Sequence, residues 1–352
     1  MKRCASDPVF PPATTGPSPR PKRRGNPGRS WLFAGIAVIL LSLAGAALGE
    51  TPGETEKERT PFLPDHWSIG LKVNRLLDSH TSYEFGNPFP PYQTPLSRLE
   101  FPLDSWWGGV EMRASYLRFS LGLEALTSLS SEADGKMIDS DWDDDENPGR
   151  RTIYSESDCR MEPSYTIRAD ADLKVSDWLG LPSRLDLRPI IGFRWQRFRL
   201  VAHDGVQYQQ GELPEPLPGD CIRFDQTYRH YFIGLKDDLD LTDYIPLPRC
   251  SLAIQLDWAY VEGENEDQHL LRVGRRFTYE DTHGQAWHSY VGFQAGLSED
   301  ILLSLEFDYL WLSTTGSHRL LNEALEIDYT FHHGVKVWSR QASLSLMLEY
   351  VF

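Results

Sequence analysis

The chain ends in a strict alternation. Leu344, Leu346, Leu348, Tyr350 and Phe352 fall on one side of an extended segment, while Ser343, Ser345, Met347 and Glu349 fall on the other. Successive side chains of a strand point to opposite faces, so this segment has one apolar and one polar side. The same two-residue period recurs upstream. Ile301, Leu303, Leu305, Phe307, Tyr309 and Trp311 alternate with Ser304, Glu306 and Asp308. Leu252, Ile254, Leu256, Trp258 and Tyr260 alternate with Gln255 and Asp257, and Leu117, Phe119, Leu121 and Leu123 with Arg118, Ser120 and Gly122. No helical period of comparable length competes with it. The pattern predicts strands over residues 66–77, 97–113, 115–127, 163–175, 184–203, 222–238, 250–262, 285–297, 300–313 and 337–352.

A soluble β-sandwich also alternates, but its dry faces do not end so regularly in Tyr and Trp. Aromatic residues at strand ends match the interfacial girdles of an outer-membrane barrel, with apolar side chains toward lipid and polar ones toward the lumen. The expected fold class is therefore all-β: a transmembrane antiparallel β-barrel of ten strands with long extracellular loops. Short turns such as "LSED" and "PLPR" lie at one end, and the long polar segments 128–162 and 204–221 at the other.

One apolar run breaks the pattern. "WLFAGIAVILLSLAGAALG", from Trp31 to Gly49, follows a basic leader and ends in small residues, as a signal peptide does, so residues 1–49 are expected to leave the mature chain. A retained membrane anchor is the alternative. The mature domain is then 50–352, with no internal repeat. Residues 1–49 contain seven of the 35 Lys/Arg and one of the 51 Asp/Glu, which leaves 28 basic against 50 acidic residues and a net charge of −22. Such a surface repels nucleic acid and attracts cationic peptides. Export permits disulfides, which makes Cys159 and Cys221 a candidate pair, with Cys250 left as a free thiol.

Two acidic groupings carry candidate chemistry. In "MIDSDWDDDENPG", Asp139 and Asp141 stand two residues apart and share a face if the segment is strand. In "GENEDQHLLRVGRRFTY", Asp267 and His269 have the same spacing, in which a carboxylate can orient an imidazole. They continue the lumen-facing parity of Gln255 and Asp257. A calcium loop fails for the first segment, because Asp144 stands where the turn demands Gly and Arg150 where the last ligand must be Glu. Asp143, Asp144 and Asp145 read as a solvated loop. Since odd-numbered residues 117–123 face lipid, Asp139 and Asp141 can face the cleft only if the register shifts between 126 and 137. Gly135 is the candidate for that shift.

These motifs resemble the omptins, outer-membrane proteases built as ten-stranded barrels. "MIDSDW" followed by "NPG", "EDQH" followed by "RRFTY", "SRLEF" at 97–101, "YFIGL" at 231–235 and the aromatic final strand carry the resemblance. It implies a catalytic site of Asp139, Asp141, Asp267 and His269, with hydrolysis of peptide bonds by a water held between the pairs. No covalent intermediate, metal or cofactor enters that scheme. It also implies acids that hold a basic residue before the cut, one matching Glu84 and the other falling on Asn265. Lipopolysaccharide contact on the barrel wall is implied at Arg197, with Thr227 at a second position. The competing expectation is a non-catalytic outer-membrane barrel, an adhesin or porin-like protein, with an acidic rim.

Overall fold

The computed structural model describes residues 66–87, 93–247, 249–274 and 276–352, so the expected signal segment 1–49 and its cleavage point lie outside the described residues. The described chain is almost entirely strand. In order, these are β1 (His66–Asn87), β2 (Gln93–Pro102), β3 (Trp106–Tyr116), β4 (Phe119–Ser128), β5 (Glu132–Asp141) and β6 (Ile153–Leu173). They continue as β7 (Leu185–Gln209), β8 (Glu215–Asp240), β9 (Cys250–His269), β10 (Arg276–Gly296), β11 (Ile301–Asn322) and β12 (Ile327–Val351). All neighbours pair antiparallel, and β12 returns to pair with β1 from Ser68↔Val351 to Phe85↔Val335, which closes the sheet.

Twelve segments make ten staves. β1 pairs with β3 along its first half and with β2 along its second, and β6 pairs with β5 along its first half and with β4 along its second. The single strand expected over 97–113 is thus β2 and β3, broken at residues 103–105, and the strand expected over 115–127 resumes as β5. The break has a job. Asp104 accepts backbone hydrogen bonds from Asp78 (3.0 Å) and Ser79 (2.7 Å), at the bulge where β1 shifts register between Leu77 and His80. Below the bulge Lys72, Asn74 and Leu76 point inward; above it Ser79, Thr81 and Tyr83 do. Two staves along the same wall, Gly135 adopts a φ of +109° where β5 shifts against β6 between Ala133 and Met137. A left-handed backbone of this kind favours glycine, and the shift falls inside the interval that the parity of Asp139 requires.

The outward apolar faces form one band. On β11 it runs from Ile301 to Trp311, about the 9–11 residues that a tilted strand needs to cross hydrocarbon. Trp258, Trp287 and Trp311 stand side by side across β9, β10 and β11, all exposed, as one aromatic girdle; Tyr350 and Phe352 mark the other edge. Within this band the lumen is filled with charge. Lys72 meets Glu124 (2.5 Å), Glu306 (2.7 Å) and Glu111 (3.5 Å), and His288 bridges Asp257 (2.7 Å) and Asp308 (3.0 Å). These pairs border a cavity of about 420 Å³.

Above the girdle the walls extend much further than the alternation predicts. Residues 132–141 and 153–162, expected as loop, are strand, and so is most of 204–221. Here water replaces lipid outside, so the outer face no longer has to be apolar and the period-two signature disappears. The expected Cys159–Cys221 bridge is corrected too. Cys159, Cys221 and Cys250 are buried free thiols. Cys159 opposes Ala202 of β7, which in turn opposes Ile222 of β8. A whole strand therefore separates the two cysteines, about 9–10 Å, beyond the roughly 4.4–6.8 Å that a disulfide spans between Cα atoms.

Leu346 is outward at mid-band, opposite Val73 and Leu305. Leu346→Arg is expected to destabilise the lipid-embedded barrel by about 2–4 kcal/mol, measured by reversible denaturant unfolding in lipid. Alkylation of the unreduced, denatured protein is expected to label Cys159, Cys221 and Cys250 alike.

Candidate active site

Asp267 and His269 close the inner face of β9, a strand with an uninterrupted register from Cys250 onward on both sides. That continuity keeps them on the same inward face as Gln255 and Asp257. They lie nine or more residues beyond Trp258, outside the lipid band. Asp267 is wholly buried, with one oxygen 2.9 Å from His269 Nε2 and 2.5 Å from the hydroxyl of Tyr83. The same Nε2 sits 2.9 Å from Arg276 Nη2, because the β9–β10 register places Arg276 directly opposite His269.

Asp139 and Asp141 lie on β5, opposite Leu99 and Ser97 of β2. Leu99 is in turn opposite Tyr83 of β1. Tyr83, Leu99 and Asp139 thus form one row on the inner wall, and the Tyr83 hydroxyl reaches across the barrel to Asp267. Asp139 lies within the electrostatic fields of Asp141, Arg276, Arg272 and Asp267. The two couples therefore face one another across the mouth. Both retain a buried carboxylate oxygen without a hydrogen-bond partner, Asp139 Oδ1 and Asp267 Oδ1. Such atoms are costly to leave unsatisfied and mark a place for an atom from outside the chain.

The surroundings drive the four groups apart in acidity. Burial, reinforced by Asp141, holds the Asp139 carboxyl well above the usual carboxylate range. Burial also acts to raise Asp267, but the charge of His269 and the hydrogen bonds from His269 and Tyr83 outweigh it, leaving Asp267 low. For His269, burial and then the Arg276 guanidinium disfavour the imidazolium, and the ring lies below its ordinary value despite Asp267. The mouth thus combines a carboxyl inclined to keep its proton with an imidazole inclined to lack one.

Two other expected residues are elsewhere. Glu84 follows the inward Tyr83, so it points to the outer wall, where Arg98 binds its Oε2 through Nε (2.8 Å) and Nη2 (2.5 Å). Arg98 itself stacks over Trp142 and Trp338. Glu84 is not part of the cleft. Arg197 is also on the outer wall, opposite Tyr165 and Thr227, in a two-pronged ion pair with Asp225. Asn265 faces the cleft, one inward step below Asp267.

Tyr83 and Arg276 were missed by the sequence reading. Arg276 was within reach, since a hairpin drawn outward from Trp258 and Trp287 already pairs it with His269. Tyr83 was not, because the bulge at Asp78 reverses the parity of everything after it. Among the described residues no three His, Cys, Asp or Glu side chains converge as metal ligands would.

A family model described as the Omptin family matches residues 108–346. Protease 7 of Escherichia coli strain K12 is 25% identical over 170 residues, 46% of this chain and 50% of that protein, and Protease 7 of E. coli O157:H7 gives the same figures. The chain thus spans about half the length of the curated relatives it matches. Among solved structures, the outer membrane protease OmpT from E. coli superposes with a TM-score of 0.72 at 17% identity, covering 84% of this chain and 99% of that one. At that identity the likeness speaks for the barrel fold.

The His269 ring is expected to titrate below its ordinary value of 6.5, staying neutral to lower pH than a free imidazole. Arg276→Gln removes a positive neighbour and should move the midpoint up, read from ring proton shifts by NMR with His269→Ala as the assignment control.

Proposed function

The chain belongs to the omptin family, in the outer membrane of Gram-negative bacteria, and on that premise we propose that it is an endopeptidase whose catalytic residues are Asp139, Asp141, Asp267 and His269. The observation that carries the reading is the pair of unpartnered carboxylate oxygens, Asp139 Oδ1 and Asp267 Oδ1, on opposing walls of the mouth beside a neutral-leaning imidazole. A water between the couples gives a proton to His269 as its oxygen attacks the scissile carbonyl, and His269 returns that proton to the leaving amine. Asp267 meets the ring at Nε2, where Arg276 also lies, and orients the imidazole for that transfer. Asp139, whose carboxyl is pushed up by burial and by the charge of Asp141, positions the water and donates toward the developing oxyanion. The hydrolysis is of the aspartic, non-covalent kind, and this scheme uses no metal.

A preference for a basic residue at the cut would need acids in the cleft. Glu84 is bound to Arg98 on the outer wall and Asn265 is neutral, so the basic preference is not carried forward to the cleft. The cationic bias that remains is long-range: the mature chain's excess of acids draws cationic peptides and proteins toward the mouth. Outer-membrane lipid is the other partner. Arg197 stands opposite Tyr165 on the outer wall, and a lipopolysaccharide phosphate binding there would compete with Asp225 for it.

Asp139→Asn and His269→Ala are each expected to lower peptide cleavage by about 10²–10⁴-fold in refolded protein supplied with lipopolysaccharide, with the heat-dependent gel mobility of the barrel unchanged. Full activity in both variants would overturn this catalytic site, and no cleavage of any peptide by the unmodified, folded protein would favour a non-catalytic barrel. Since the base must be neutral, the acid limb of kcat/KM should lie below pH 6.5.

A further inference from the structure

Aromatic rings from opposite walls interleave at the level of the two couples. Phe101 of β2 stacks on Phe224 of β8 with 4.4 Å between centroids and 5° between planes, and Phe224 stacks on Tyr83 of β1 at 5.6 Å and 11°. Tyr83 continues the file to Phe85 at 6.4 Å, and Phe85 to His318 of β11 at 4.6 Å. Phe101, Phe224 and Tyr83 are wholly buried. β1 and β2 belong to the wall that carries Asp139, and Phe224 stands opposite Asp267 in the β8–β9 register. Rings packed on each other from both sides fix the spacing of the strands that hold them.

Among these four aromatic side chains Tyr83 alone carries a hydroxyl, and that hydroxyl donates across the mouth to Asp267 Oδ2 at 2.5 Å. The same oxygen lies 2.9 Å from His269 Nε2, while Asp267 Oδ1 has no partner. Two contacts on one oxygen fix the turn of the carboxylate plane and leave the other oxygen for the proposed water. A donor on the carboxylate also draws part of its charge away from the imidazole beside it. The other charged groups that face this pair are Arg276 and Glu280 of β10, Arg272 beyond the end of β9 and Asp139 of β5. From β8 the facing residue is the uncharged Phe224.

We propose that Tyr83 is a positioning residue for the hydrolysis: held in the interleaved rings of one wall, its hydroxyl clamps Asp267 on the other, so that the Asp267–His269 couple keeps the orientation in which a single water joins it to Asp139. Tyr83 acts through Asp267, and its loss is felt in the reaction step and in the proton affinity of the couple, with substrate binding left as it was. The proposal rests on the endopeptidase reading.

The test is Tyr83→Phe, which keeps the ring and its stacking and removes only the bond to Asp267. In full-length protein refolded with lipopolysaccharide, on a peptide that the unmodified protein cleaves, kcat should fall about 10–10²-fold with KM within about twofold and heat-dependent gel mobility unchanged. The acid limb of kcat/KM should move to higher pH. With the donor gone, Asp267 turns more of its charge on His269, the couple takes up a proton more readily, and the neutral base is lost sooner as pH falls. The His269 ring titration, followed by NMR, should move the same way. In an Asp267→Asn background the further change Tyr83→Phe should alter kcat by less than about twofold, because the charged partner of the bond is already gone. An unchanged kcat in Tyr83→Phe, or a fall that leaves both midpoints in place and persists in the Asp267→Asn background, overturns the positioning role and leaves the endopeptidase standing. No cleavage of any peptide by a correctly folded unmodified protein overturns both.

Discussion

A strand in hydrocarbon has no water to satisfy its backbone, so every N–H and C=O must find a partner on a neighbouring strand. That demand makes β12 pair with β1 along its length and turns an open sheet into a ring without edges. The other features follow from closure. Once the ring is closed, the two faces of each strand become lipid and lumen, which is why Leu, Ile and Trp stand outside while Lys72, Glu124, Glu306, Asp257 and His288 are enclosed. The enclosed charges are tolerable because they are paired with one another.

Closure alone would carry the lower-wall parity up to the mouth on every strand. On β9 it does, and Asp267 and His269 face inward by simple continuation from Asp257. On the opposite wall it would aim Asp139 and Asp141 outward. The interruption at 103–105, the bulge at Asp78 held by Asp104 and the left-handed Gly135 change the parity of β1, β2 and β5 together. One carboxylate thus couples irregularities in neighbouring staves, and the acidic couple arrives on the same side of the wall as its counterpart.

The mouth then works through contrast. Asp139 is surrounded by burial and a second acid, whereas Asp267 is surrounded by donors, and the same residue type acquires opposite tendencies. Arg276 adds a positive charge beside an imidazole already disfavoured as a cation. Directly beneath, one inward step along β9 leads from Asp267 to the amide of Asn265.

Alternation in the C-terminal and central segments was enough to establish a membrane barrel, its ten staves and the lipid face of each, because in the bilayer the side-chain pattern is dictated by the solvent on either side. The spacing of Asp139 with Asp141 and of Asp267 with His269 likewise marked both couples as candidates, and parity arithmetic located the need for a shift near Gly135. The chain did not reveal the height of the walls above the girdle, since strands with water outside carry no apolar alternation. Nor did it reveal that Glu84 lies outside and Tyr83 inside, or that Cys159 and Cys221 are a strand too far apart to join. Each of those depends on which residue stands opposite which after a bulge, and that register is settled by hydrogen bonds between segments distant in sequence.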